Sequence, residues 1–152
     1  MEKKEHYAYV ASYCAAAERC KQEVAERLKK VAISSDEIEE YLDLLEQDGY
    51  INELRYAQAY VRDKFRFNKW GKIKISYMLQ SKGLPSFTIH EALGEIDPES
   101  YLETLFALLQ SKARTTKSTT LSDKKAKLYR FAASRGFESE AIQRAFKQLT
   151  LE

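Results

Sequence analysis

Glycine and proline are scarce in this chain, five and two in 152 residues. An all-β fold needs a turn signal about every 8–12 residues, so that class is excluded. Histidine is no more plentiful: His6 and His90 are the whole supply, and the only cysteines, Cys14 and Cys20, stand six apart. That spacing fits no metal or redox motif, so no metal site is expected. Two reduced thiols on helix faces of a cytoplasmic protein is the reading that remains. No apolar run approaches the ~20 residues of a membrane span. The opening "MEKKEHYAYVASYCAAAERC" lacks the clean apolar block of a signal peptide. Nor is there a nucleophile motif, a phosphate loop or a pair of carboxylates at catalytic spacing. Catalytic residues, cofactors, membrane association and enzyme activity are therefore not expected.

Charge and apolar residues are abundant, at 32% and 44%. That suffices for one packed domain or a short repeat array. The charge is unevenly spread. Residues 1–52 hold seven basic and twelve acidic residues, a net −5, whereas residues 53–152 hold eighteen and eleven, a net +7. Two windows concentrate the positive charge. The first has Arg62, Arg66, Lys69, Lys72, Lys74 and Lys82 among its seven cations, against Asp63 alone. The second has Lys112, Arg114, Lys117, Lys124, Lys125, Lys127, Arg130 and Arg135, against Asp123 alone. These are the candidate partner-binding residues, and they point to an anionic partner. A solvated helix face is the plainer alternative.

Within the first window, "FRFNKWGKIKISYM" (Phe65–Met78) alternates basic and apolar residues as a half-buried strand would. Internal repetition rules that out. Placing Gly83 on Gly136 sets Ile75 on Leu128, Leu79 on Ala132, Ile89 on Ile142 and Ala92 on Ala145. The same frame fits upstream, with Ala32 in the glycine position, Val24 on Ile75, Leu28 on Leu79 and Ile38 on Ile89. The repeated apolar positions are spaced as on a helix, not a strand. Lys72–Lys82 is therefore expected to be helical, ended by Gly83, with Lys82 and Arg135 closing their helices near the negative dipole end. A preceding helix belongs to each copy: Tyr7–Ala17; the stretch after Asn52, a candidate N-cap; and Ser100–Ala113, announced by Asp97–Pro98. "TTKSTTLSD" (Thr115–Asp123) reads as a mobile loop. The expected fold is all-α: an elongated tandem array of three three-helix repeats, about nine helices and no strands, divided at 1–48, 49–96 and 97–152.

On these residues the chain resembles the RecX family, regulators of the RecA recombinase. The likeness lies in "LLEQDGYINELRYAQAYVRDKF" (Leu44–Phe65), "GKIKISYMLQSKGL" (Gly71–Leu84) and "SRGF" (Ser134–Phe137), and it spans most of residues 7–149. The chain departs from the family pattern in having Trp70 before Gly71, no proline after that glycine, and Ala32 in place of glycine. The resemblance implies an arc of helical repeats that binds RecA and its filaments on single-stranded DNA. It also implies inhibition of strand exchange and ATP turnover, in the control of DNA repair, recombination and the SOS response. A monomer with weak direct DNA contact is expected.

Other features have structural readings. Gly49–Tyr50 ends a helix, Trp70 and Phe67 read as core aromatics beside a helix junction, with stacking on bases the alternative, and Tyr7, Tyr9, Tyr13 and Tyr41 are packing residues. Glu37, Glu39, Glu40, Asp43 and Glu46 form a solvated acidic face. "ISYMLQSKGLPSFTIHEAL" superficially reads as a helix-turn-helix, yet its second helix offers only His90 to a base edge, with Glu91 and Glu95 repelling phosphate. Sequence-specific readout of DNA is not expected; an autonomous, nonspecific DNA-binding module is the alternative function.

Overall fold

Helix caps set where the chain turns. The structure, a computed structural model, describes residues 3–31 and 33–149, so the Ala32 position lies outside the described residues. Among the described residues there are nine α-helices and no strand: α1 Lys3–Ala16, α2 Lys21–Lys29, α3 Ser35–Gln47, α4 Glu53–Arg66, α5 Lys72–Ser81, α6 Ser86–Leu93, α7 Pro98–Thr115, α8 Leu121–Ser134 and α9 Ser139–Gln148. Asn52 caps α4, its side-chain oxygen accepting the Arg55 N–H at 2.9 Å. Asp97 caps α7 by accepting the Ser100 N–H at 2.9 Å, with Pro98 at the first helical position. The Lys72–Ile75 stretch is helical, as the repeat requires.

The loop expected over Thr115–Asp123 is shorter than that. Thr120 accepts the Asp123 N–H at 3.0 Å and starts α8 at Leu121, leaving only residues 116–120 outside helices. A β-branched polar stretch reads as loop, but its last threonine is an N-cap.

The chain forms two compact units. One comprises the chain through Tyr60 together with Leu79–Ala92; the other comprises Val61–Met78 together with the chain from Leu93 onward. In the first, α1 and α3 pack on α2. Its core includes Val10, Cys14, Val24, Leu28, Ile38, Tyr41, Leu42 and Leu45, with Tyr7, Tyr9 and Tyr13 packed partly buried against it. In the second, α7, α8 and α9 pack on one another around Leu105, Leu109, Leu128, Phe137 and Ile142. Burying each such side chain contributes about 1.5–3 kcal/mol relative to leaving it in water. The repeat register predicts this core well. Val24, Ile75 and Leu128 are each fully buried, as are Leu28 and Leu79, with Ala132 1% exposed.

Three helices end in the same hydrogen-bonded turn. After α5, Gly83 N–H donates to Gln80 O and Leu84 N–H to Leu79 O. After α8, Gly136 N–H donates to Ala133 O and Phe137 N–H to Ala132 O; after α3, Tyr50 N–H reaches Leu45 O. This is the Schellman pattern, which satisfies the last carbonyls.

Candidate functional site

In the second unit, the N-terminus of α5 is seated on the C-terminal turn of α8. A helix start leaves its first N–H groups without intrahelical partners. Here Gly71 N–H donates to Arg135 O at 2.7 Å, Ile73 N–H to Gly136 O at 2.9 Å, and Lys72 N–H to the Tyr101 hydroxyl at 2.9 Å. The positive end of one helix thus meets the negative end of another. Tyr101 in turn donates to Glu138. Burial, followed by that hydrogen bond, holds the tyrosine's pKa far above its ordinary value, so the hydroxyl stays a donor. Two glycines permit the approach. A Cβ on Gly71 would lie 2.4 Å from the Gly136 carbonyl, and one on Gly136 would lie 2.3 Å from the Lys74 Cβ.

Of the first-window cations, Lys72 and Lys74 belong to this seat. Arg62 and Arg66 are exposed on α4. Lys69 is also exposed; its backbone sits at φ +57, and its ammonium donates to Arg66 O at 2.8 Å, closing α4. Lys72 lies 5.0 Å from the Tyr101 ring centroid, and Lys74 lies 4.6 Å from that of Trp70, with Lys64 at 5.1 Å from the same ring. Lys72 and Lys74 flank the buried stripe, and both are half-buried. Aromatic rings hold their ammonium groups, which positions the charges. Lys82 belongs to the first unit and is paired with Glu23 at 3.6 Å. It closes α5 as the residue after its last turn.

The second window divides into two groups. Lys112 and Arg135 lie 5.1 and 5.2 Å from the Phe131 ring centroid. Lys127 donates to Lys117 O at 2.8 Å and lies 3.3 Å from the Asp123 carboxylate, tying the loop to α8. The Ser118 hydroxyl, ahead of Lys127, holds Asp123 below the usual carboxylate range. Lys124 is half-buried, while Arg114, Lys117, Lys125 and Arg130 are exposed.

Phe67 was expected in the core and is instead 73% exposed. Tyr77 and Ile73, one turn apart on α5, are 68% and 56% exposed and carry no signal in the repeat frame. Trp70 is half-buried under its two lysines. In the first unit, Tyr41 is buried and Glu37, Glu39, Glu40, Asp43 and Glu46 are all exposed.

A cleft of about 350 Å³ in the second unit is lined by Lys72, Tyr101, Glu138, Glu140 and Arg144, among others. It mixes cations with carboxylates, and the Tyr101–Glu138 hydrogen bond lies on its wall. Among the described residues no group of three His, Cys, Asp or Glu side chains is placed to hold a metal ion. None of the described helices is long and apolar enough to cross a membrane.

Nine helices among the described residues, in a repeated three-helix register, define an all-α helical-repeat protein. The comparisons with known proteins narrow this. Residues 52–93 match the model of the RecX second three-helix domain, and residues 99–146 that of the RecX third three-helix domain. The chain belongs to the RecX family. It is 32% identical over 146 residues to Regulatory protein RecX of Bacillus cytotoxicus, covering 96% of this chain and 54% of that one. With the protein of the same name from Clostridium botulinum it shares 30% over 132 residues, covering 86% and 61%. The chain thus spans about half to three-fifths of these relatives' length. Its fold is similar to the crystal structure of RecX from Lactobacillus salivarius, with a TM-score of 0.88 at 23% identity over 96% of this chain and 95% of the other.

Proposed function

We propose that this chain binds RecA filaments assembled on single-stranded DNA and lowers their ATP turnover and strand exchange, acting as a cytoplasmic monomer in DNA repair and recombination. Membership of a family of regulatory proteins sets the class. The observation that carries the reading is the concentration of exposed cations in the second unit. Arg62, Arg66 and Lys69 of the first basic window and Arg114, Lys117, Lys125 and Arg130 of the second are all exposed. Asp63 and Asp123 are the only acidic residues of those two windows. Such a surplus of accessible positive charge suits a polyanionic partner. The three repeats, 1–48, 49–96 and 97–152, then supply one scaffold with an acidic first member and two basic ones.

The test is hydrolysis of ATP by RecA on single-stranded DNA with this chain titrated in. Turnover is expected to fall at protein equimolar with RecA or below it. Unchanged turnover in excess protein, with tight binding to naked DNA, would replace the reading with an autonomous DNA-binding module.

A further inference from the structure

We infer that the end of α4, the connection through Trp70 and α5 as far as Tyr77 form a stacking surface for single-stranded nucleic acid. Phe67, Ile73 and Tyr77 are 73%, 56% and 68% exposed, although all three fall within eleven consecutive residues. None of them supports the core, so the fold does not require an apolar or aromatic side chain at these places. Cations are interleaved with them in the sequence. Arg62, Arg66 and Lys69 are exposed, and Lys64 and Lys74 are gathered onto Trp70 at 5.1 and 4.6 Å. Asp63 is the single acidic residue of the stretch.

This combination selects the partner. Exposed rings interleaved with cations match surfaces that stack bases while neutralising the backbone. A protein partner fits less well, because lysine is depleted at protein interfaces. Duplex DNA fits poorly too, since its base faces are covered by one another and offer the rings nothing to stack on. The surface deepens the filament reading by naming DNA strand, not protein, as what this face meets. Its test needs no RecA, so the two readings fail separately.

Binding of a dye-labelled oligothymidylate to the intact chain, followed by fluorescence anisotropy across a salt series, decides it. Phe67→Ser and Tyr77→Ser are each expected to weaken binding about tenfold, with the salt slope unchanged. Phe67→Tyr and Tyr77→Phe should keep parental affinity. Arg62→Gln and Arg66→Gln should each lower the slope by about 0.7. An abasic strand should bind weakly and ignore the ring changes. All these side chains are exposed, so helical circular dichroism should match the parent throughout. No binding by the parent, or parental affinity in the serine variants, would overturn the inference. So would serine variants that weaken filament binding alone, which would make the patch a protein-docking face.

Discussion

Gly83 and Gly136 occupy the same place in the repeat, and both lie at positive φ, +85 and +94. Their surroundings differ. A Cβ on Gly83 meets nothing within 4 Å, whereas on Gly136 it would lie 2.3 Å from the Lys74 Cβ and 2.6 Å from its backbone nitrogen. Gly83→Ala is therefore expected to cost about 1 kcal/mol, for the left-handed backbone alone. Gly136→Ala should cost about 1–3 kcal/mol more, for steric overlap. Urea unfolding of the two variants measures the difference, and equal losses would refute the close approach of α5 to α8. Cys14 and Cys20 make a second case at this scale. Both are buried, and burial raises both thiol pKa values. A thiol-specific reagent near pH 8 should label the native chain far more slowly than the unfolded one; prompt labelling would contradict the packing.

At the scale of the element, α8 begins on the Thr120 cap and carries Asp123 in its first turn, beside Ser118 and Lys127. That carboxyl is held below its ordinary pKa, first by the Ser118 hydroxyl and then by Lys127. A depressed folded pKa means that the unfolded chain binds the proton more readily. The stabilisation is therefore complete above the ordinary carboxylate range and is lost as pH falls through the lower folded value. Carboxyl titration by NMR should place Asp123 below a reference aspartate, and Asp123→Asn should flatten this contribution to the acid limb of stability. At the start of α7, Asp97→Ala should cost about 1 kcal/mol, since it leaves the Ser100 N–H without its cap. Thermal melts of that variant check it.

For the whole molecule the question is which cations are available to a partner. The exposed set in the second unit includes Arg114, Lys117, Lys125 and Arg130. Changing these four together to Glu is expected to weaken binding to RecA filaments while helical circular dichroism stays parental. If they neutralise single-stranded phosphates, the salt slope should fall by about 0.7 for each. Contacts to carboxylates would weaken with salt through screening, without that slope. Lys72 and Lys74 are poor choices for the same experiment. Their side chains lie on Tyr101 and Trp70, so charge reversal there would also disturb packing. Filament binding at the parental level by the four-fold variant would make its face an ordinary solvated one.

The helices, their register and most of their ends were legible in the amino-acid sequence, because periodicity and caps are local. Val24, Ile75 and Leu128 declare themselves by spacing, and Asn52, Asp97 and Gly83 by residue type. The family, too, was legible in ordered motifs built largely of core and turn residues. The candidate surface was legible as charge, with base stacking at Phe67 and Trp70 as an alternative to their burial. That Lys72 donates its N–H to a tyrosine 29 residues away could not be read from any window of sequence. Nor could the seating of α5 on α8, which gives Gly71 and Gly136 a role beyond ending or linking helices. Phe67 was misplaced in the core because an aromatic residue at a helix junction has the same composition signal whether it packs or protrudes. Tertiary structure decides such cases, since burial and ion pairing depend on which distant groups arrive at the same point in space.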